Sequence, residues 1–285
     1  MLIKLAKSAG FCFGVERAVN LAYSNAHLSN ITTLGPIIHN DFVTNDLKEK
    51  GVSIVNELTP DLKNVIIRSH GVGQQIYTQA NQLKINLIDA TCPYVAKIHK
   101  LVKQHMELGH SIIIIGDKYH PEVVGINGWA NNSAIIIKED TDKLIDKLEL
   151  NKSYFMVAQT TYKQKIVDNI ILKLNSKNIT FKYIHTICST TTMRQQEAKN
   201  LAKQVDKMIV IGGKHSSNTK KLFEVCLDQC KNSICIEKFS ELTDIEFNKN
   251  DKIGITAGAS TPKYIIDDVI AYLNDRIKGE ISNGI

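Results

Sequence analysis

The chain repeats itself three times. Cys12, Cys92 and Cys188 each stand between a strand-like run and an amphipathic helical pattern, and Gly35, Gly116 and Gly212 follow them at separations of 23, 24 and 24 positions. Four positions beyond those glycines come His39, His120 and Ser216. A further strand-like run then ends in small polar residues: VIIRSHG with Ser69 and His70, FMVAQTT with Thr160, and KIGITAGAS with Ser260. Such long-range self-similarity marks one structural unit built three times.

The helical pattern after each cysteine is explicit. Val15, Ala18, Val19 and Ala22 fall at i, i+3, i+4 and i+7 after Cys12, and Ala198, Leu201, Ala202 and Val205 repeat that spacing after Cys188. After Cys92, Pro93 occupies a first helical position, where its missing N–H costs nothing, and Val95, Ile98 and Val102 follow. Each cysteine is therefore expected at a helix N-terminus. Runs such as VIIRS, SIIIIG and KMIVIGG are aliphatic without alternation, which predicts parallel strands covered on both faces. Ligands of such sheets bind beyond the carboxyl ends of the strands, and all three repeated motif classes fall there.

The fold class is thus α/β with mainly parallel sheets in three pseudo-equivalent small domains. The repeats run over 13–91, 92–187 and 188–285. LIKLA stands before Cys12 as INLIDAT stands before Cys92 and FKYIHTI before Cys188, so residues 1–12 are expected to complete the third domain.

Charge and length narrow the function classes. The 285 residues carry a net charge of +6, nearly all of the cations being lysine, with arginine only at 17, 68, 194 and 276. Base-edge and bidentate phosphate recognition favour arginine, and no aromatic-basic stripe accompanies the lysines, so nucleic acid is not expected as a partner. Apolar runs such as Ile112 to Ile115 fall far short of the ~20 residues of a membrane span. The N-terminus has no signal-peptide pattern, which together predicts a cytoplasmic chain without a membrane anchor.

Six cysteines in such a chain point to metal or redox chemistry rather than a disulfide framework. A helix N-terminus favours the thiolate, a soft ligand, so Cys12, Cys92 and Cys188 are candidate ligands for zinc or an iron-sulfur cluster. Cubane clusters usually take four cysteines; three would leave one iron open to substrate. Cys226, Cys230 and Cys235 have neither ferredoxin nor zinc spacing and read as structural thiols.

His39, His70, His120, Ser216, Ser217, Asn218 and Ser260 supply hydrogen-bond donors at strand ends beside helix starts, a setting suited to a phosphate-bearing substrate. GGKHSSN lacks the residue order of a P-loop, so nucleotide hydrolysis is not supported. Glu122, after His120 and Pro121, is either a helix-start acid favoured by the macrodipole or a proton donor.

AGFCFGVERAV, IHN at 38–40, SHGV at 69–72, DATCPYVAKIH, GDKYHPEVVG, AQTT at 158–161, ICSTTTMRQ, KHSSN and TAGASTP together resemble the 4-hydroxy-3-methylbut-2-enyl diphosphate reductase family, over nearly the whole chain. The resemblance implies a trefoil of three α/β domains around a 4Fe-4S cluster held by Cys12, Cys92 and Cys188, with an open fourth iron. It implies the last step of the non-mevalonate isoprenoid pathway, in which two electrons and two protons remove an allylic hydroxyl to give isopentenyl and dimethylallyl diphosphate. Carried over, His39, His70, Ser216, Ser217, Asn218 and Ser260 would hold the diphosphate, with His120 also near the substrate. Glu122 would deliver the proton and Thr160 would help position it. A ferredoxin- or flavodoxin-type electron donor is implied as well. The chain departs from many members at Met193 and Glu16, neither an implied ligand, and the nucleic-acid-binding module that some members append is not expected. A non-redox hydro-lyase and a non-catalytic iron-sulfur sensor are the alternatives; the first would want arginines for carboxylates, and the second would need neither Glu122 nor a diphosphate ring.

Overall fold

The computed structural model describes residues 1–282, and of residues 277–282 the backbone alone. The last three positions of the third repeat, 283–285, lie outside the described residues. The chain opens with β1 (Leu2–Leu5) and α1 (Phe13–Asn25). The first repeat continues through β2 (Ile31–Leu34), α2 (Asp41–Glu49), β3 (Ser53–Val55), β4 (Asn64–Ile67), α3 (Gln74–Gln82) and β5 (Asn86–Asp89). Next come α4 (Pro93–Glu107), β6 (Ser111–Ile115), α5 (Pro121–Trp129), β7 (Ile135–Ile137), β8 (Ser153–Ala158), α6 (Gln164–Ser176) and β9 (Thr180–Tyr183). The remainder holds α7 (Ser189–Ala202), β10 (Lys207–Ile211), α8 (Ser217–Leu227), β11 (Ser233–Ile236), β12 (Lys252–Ala257) and α9 (Lys263–Ser282).

These strands form three four-stranded sheets of one topology: β3-β2-β4-β5, β7-β6-β8-β9 and β11-β10-β12-β1. Every pairing is parallel. The expected α/β class with parallel sheets is what the chain adopts. The third sheet takes its outer strand from the start of the chain, Leu2 pairing with Lys252 and Leu5 with Ile255.

Two compact units result. One holds Met1–Val15, His39–Val43 and the chain from Ser189 onward, and contains the third sheet. The other holds Glu16–Ile38 and Thr44–Cys188, and contains the first two sheets.

The unbroken aliphatic strands are explained by burial on both faces. In the second sheet Ile112, Ile114, Phe155 and Val157 pack with Ile98 and Val102 of α4 and Val123 and Ile126 of α5. Their neighbours Ile113, Ile115, Tyr154 and Met156 point the other way, onto Val167, Ile170 and Leu174 of α6. The third sheet repeats the arrangement. Met208 and Val210 meet Ala198, Ala202 and Leu222, and Ile209, Ile211, Ile253 and Ile255 meet Ile265, Ile266, Val269 and Leu273 of α9. Burying each such side chain contributes about 1.5–3 kcal/mol, so truncating Ile114 to alanine would cost about 2–5 kcal/mol. Among the described residues no helix is long and apolar enough to cross a membrane.

Candidate active site

Each cysteine of the repeat ends up directly before a helix, at α1, α4 and α7, half-buried and outside any disulfide. Its backbone N–H is fixed the same way three times. Cys12 donates to the Ala259 carbonyl at 3.2 Å, Cys92 to Ser69 at 2.9 Å and Cys188 to Thr160 at 2.9 Å. Each acceptor lies just past the end of a strand: β12, β4 and β8. The glycine of each repeat is tied equally regularly, with Gly35, Gly116 and Gly212 donating to Val55, Ile137 and Ile236 at 2.7, 3.0 and 2.8 Å. One local geometry is thus built three times, and it leaves three thiols, each at a helix N-terminus, where the first N–H groups lack intrahelical partners. Three soft sulfur donors at equivalent helix starts fit an iron-sulfur group.

In the larger unit, Glu122 is the most informative side chain. It lies in the first turn of α5, whose N-cap His120 accepts the Glu122 N–H on Nδ1 at 3.2 Å. Its carboxylate is 2% exposed, which demands hydrogen-bond partners. Thr160 supplies two: its N–H donates to Oε1 at 2.6 Å and its hydroxyl to Oε2 at 2.7 Å. Thr160 is therefore bonded to the carboxylate through its N–H and hydroxyl and to Cys188 through its carbonyl. His70 lies close by His120, their rings edge to face at 5.3 Å. His70, His120, Glu122 and Thr160 form one group in this unit.

The smaller unit gathers a different set. Ser216 caps α8, its hydroxyl accepting the Thr219 N–H at 3.3 Å, and Ser217 and Asn218 fill the first helical positions. The Ser217 hydroxyl accepts from Lys221 Nζ at 2.9 Å. Asn218 is buried and its Nδ2 has no hydrogen-bond partner, an orphan donor at a helix N-terminus. Ser260 donates to the His39 carbonyl at 3.3 Å. A Cβ on Gly213 would meet that same carbonyl oxygen at 2.8 Å, so a side chain there would displace His39. Asn40, next in the chain, caps α2 by accepting from Phe42 and Val43 at 3.1 and 3.3 Å.

Cys226 and Cys230 are buried in the core of the smaller unit with Leu222 and Val210, as structural thiols should be. Burial, with Cys230 and Cys235 nearby, pushes the Cys226 thiol up to about 12. Burial likewise raises the Cys235 thiol.

Arg17 was legible in the sequence only as a rare arginine. In the structure its guanidinium donates to the carbonyls of Thr91 and Asp89, both at 3.2 Å, and so braces the segment leading into Cys92. Its position five residues after Cys12 was the one available signal, because that places it on the second turn of α1.

Comparison with known proteins agrees with the motifs. A family model described as LytB protein matches residues 3–274. A protein of Clostridioides difficile (strain 630) named 4-hydroxy-3-methylbut-2-enyl diphosphate reductase is 48% identical over 281 residues, spanning 96% of this chain and all of the relative. A protein of the same name from Caldanaerobacter subterraneus subsp. tengcongensis is 44% identical over 290 residues, 99% of this chain and all of the relative. Among solved structures, (E)-4-hydroxy-3-methyl-but-2-enyl diphosphate reductase, described as the terminal enzyme of the non-mevalonate pathway, is similar at a TM-score of 0.71. It is 38% identical, over 96% of this chain and 100% of that one. The E-1-hydroxy-2-methyl-but-2-enyl-4-diphosphate reductase from Plasmodium falciparum reaches a TM-score of 0.87 at 33% identity, over 96% and 87%. With a family model matched over residues 3–274 and relatives matched along almost the full length, the chain belongs to the LytB protein family of iron-sulfur reductases.

Proposed function

We propose that this chain reduces 4-hydroxy-3-methylbut-2-enyl diphosphate to isopentenyl and dimethylallyl diphosphate, the terminal step of the non-mevalonate route to isoprenoids. Two electrons and two protons enter; the allylic carbon–oxygen bond breaks, one proton leaves with the oxygen as water, and the other ends on carbon. Cys12, Cys92 and Cys188 would hold a 4Fe-4S cluster whose fourth iron is free of protein ligands. When bound, the cluster supplies the electrons one at a time from an external carrier of ferredoxin or flavodoxin type. The structural unit is one α/β repeat used three times, over 13–91, 92–187 and 188–285 with strand 1–12 completing the last. The protein works in the cytoplasm.

The observation that carries the reading is the pair of hydrogen bonds from Thr160 to the Glu122 carboxylate. Oε1 accepts a backbone N–H, which cannot reverse, so the exchangeable proton belongs on Oε2. The Thr160 hydroxyl can rotate, taking that proton while it passes its own to the departing substrate oxygen. The rest of Thr160 cannot follow, because its N–H and carbonyl are both engaged. Such a relay holds an acid in reach of the leaving group, the requirement for expelling hydroxide as water.

His39, Ser216, Ser217, Asn218 and Ser260 bind the diphosphate, with His70 and His120. The α8 N-terminus offers backbone N–H groups and the positive end of the helix dipole to the phosphates. The orphan Asn218 Nδ2 is a donor without an internal use, and a phosphate oxygen satisfies it.

Anaerobic turnover tests the reading. Cluster-loaded protein with a reduced one-electron dye should oxidise the dye only when the allylic diphosphate is added, and both isoprenoid diphosphates should form. Dye left reduced by protein with a full complement of iron would sink the reductase reading in favour of a hydro-lyase or a sensor.

A further inference from the structure

The turn that follows His70 rests on the backbone of α5 on one side and on the His99 side chain of α4 on the other. A Cβ on Gly128 of α5 would lie 2.5 Å from the Cα of Gly73, and one on Gly125 would lie 3.3 Å from the Gly71 carbonyl oxygen. Gly125 and Gly128 are one helical turn apart, so they present one bare strip to the turn. Gly71 itself takes a φ of +72°, and a Cβ there would meet Cε1 of His99 on α4 at 2.5 Å. Trp129 closes the arrangement: its Nε1–H donates to the Val72 carbonyl at 2.9 Å, and its ring stacks on the buried His99 at 5.4 Å and 20°. At Gly128 backbone thus lies against backbone, where only glycine fits, and at Gly125 the approach is nearly as close.

The same helix carries His120 at its N-cap. An α-helix of nine residues is a stiff rod about 13 Å long. One end of α5 therefore grips the turn after His70, and the other presents the imidazole that His70 faces at 5.3 Å.

We infer that Gly125, Gly128 and Trp129 seat the Gly71–Gly73 turn so as to fix His70 beside His120, and that Trp129 is a positioning residue for substrate binding. The inference rests on the reductase reading, in which both histidines bind the substrate. Trp129 acts through His70 and not through the proton relay at Glu122. Its loss should therefore weaken binding and spare the chemical step.

Two variants of the full, cluster-loaded protein test the seat. Trp129→Phe keeps an aromatic ring but removes the one N–H, and should raise KM about fivefold while kcat changes by no more than about twofold, the loss expected for one hydrogen bond. Gly128→Ala forces a Cβ into backbone and should raise KM further. In a His70→Ala background, Trp129→Phe should add nothing to KM. An unchanged KM in Trp129→Phe, or the same rise with and without His70, would overturn the seat, since ordinary packing would lower thermal stability without singling out one histidine. Histidine ring-nitrogen NMR signals of substrate-free protein, assigned with His70→Ala, read the seat without turnover. The His70 signal should move in Trp129→Phe, and a stationary signal overturns the inference. A parent protein with no turnover but a moved His70 signal would instead remove the reductase reading and leave the seat standing.

Discussion

Cys188 and Glu122 are joined through a single residue: Thr160 accepts the cysteine N–H at 2.9 Å and donates to both carboxylate oxygens at 2.6 and 2.7 Å. A proposed cluster ligand and a proposed proton source therefore share one anchor at the end of β8. Their spacing cannot drift independently, which is the kind of preorganisation that keeps an acid near its target.

The roles at this anchor separate by substitution. Glu122→Gln places an amide where both oxygens now accept, so one N–H must oppose a Thr160 donor, and the acid is lost. Turnover should fall by at least about a hundredfold, the usual contribution of a positioned acid, with iron content unchanged. Thr160→Val keeps the N–H and carbonyl bonds and removes only the hydroxyl, so it should lose less activity than Glu122→Gln. A Thr160→Val protein as active as the parent would remove the hydroxyl from the relay.

Asn218 offers a contrast between stability and binding. Its Nδ2 is buried without an internal partner, so Asn218→Ala removes an unsatisfied donor and should leave the melting temperature near that of the parent. If the donor serves the diphosphate, KM should rise several-fold. Ser216→Ala should behave differently, because it also deletes a helix cap and should cost about 1 kcal/mol of stability. Calorimetry alongside steady-state kinetics distinguishes the two.

The buried His99 predicts a pH dependence. Burial lowers its pKa from 6.5 to about 4 although Asp89 pulls the other way, so the folded state keeps the ring neutral where the unfolded chain takes up a proton. Its contribution to stability is complete above pH 6.5 and is lost progressively as pH falls towards 4. By pH 4.5 the loss should amount to roughly 2 to 3 kcal/mol relative to neutral pH. Urea unfolding from pH 7.5 to 4.5 should show this slope in the parent and not in His99→Gln; parallel curves would disprove it.

The two classes of thiol should differ in reactivity. In cluster-free folded protein at pH 8, Cys12, Cys92 and Cys188 are half-buried and outside any disulfide, and iodoacetamide should reach them before the buried Cys226. Cys226, buried and with its thiol raised to about 12, should stay unmodified until the protein unfolds. Peptide mapping by mass spectrometry gives the order, and early labelling of Cys226 would contradict it.

Much of this was readable before any coordinates. The aliphatic runs announced strands buried on both faces, and the alternation of Ile112 and Ile114 with Ile113 and Ile115 between two cores bears that out. The cysteines were expected at helix starts and are there, because Pro93 and the i, i+3, i+4 spacings mark a helix unambiguously. Short outer strands such as β3 and β7 left little trace, since three residues carry no periodicity. Nor did the sequence announce that Arg17 braces the Thr91 segment or that Trp129 reaches the Val72 carbonyl. Those bonds join residues 74 and 57 positions apart, and local pattern holds no information about such distances. The glycines at 71, 73, 125 and 128 were visible as letters, but the pairing of backbones that requires them exists only in three dimensions.

The pairing of β1 with β12 has a consequence for how the protein is made. β1 is made some 250 residues before its partner, so it must wait until β12 has been synthesised before it can be hydrogen-bonded. Cys12 waits with it, because the carbonyl that fixes its N–H belongs to Ala259. Such distant closure is slow and comes late in folding. A nascent chain halted before β12 therefore already holds the acceptors of the Cys92 and Cys188 N–H groups and lacks that of Cys12, so the three repeated cysteines share one backbone setting only after β12 and the turn beyond it have been made.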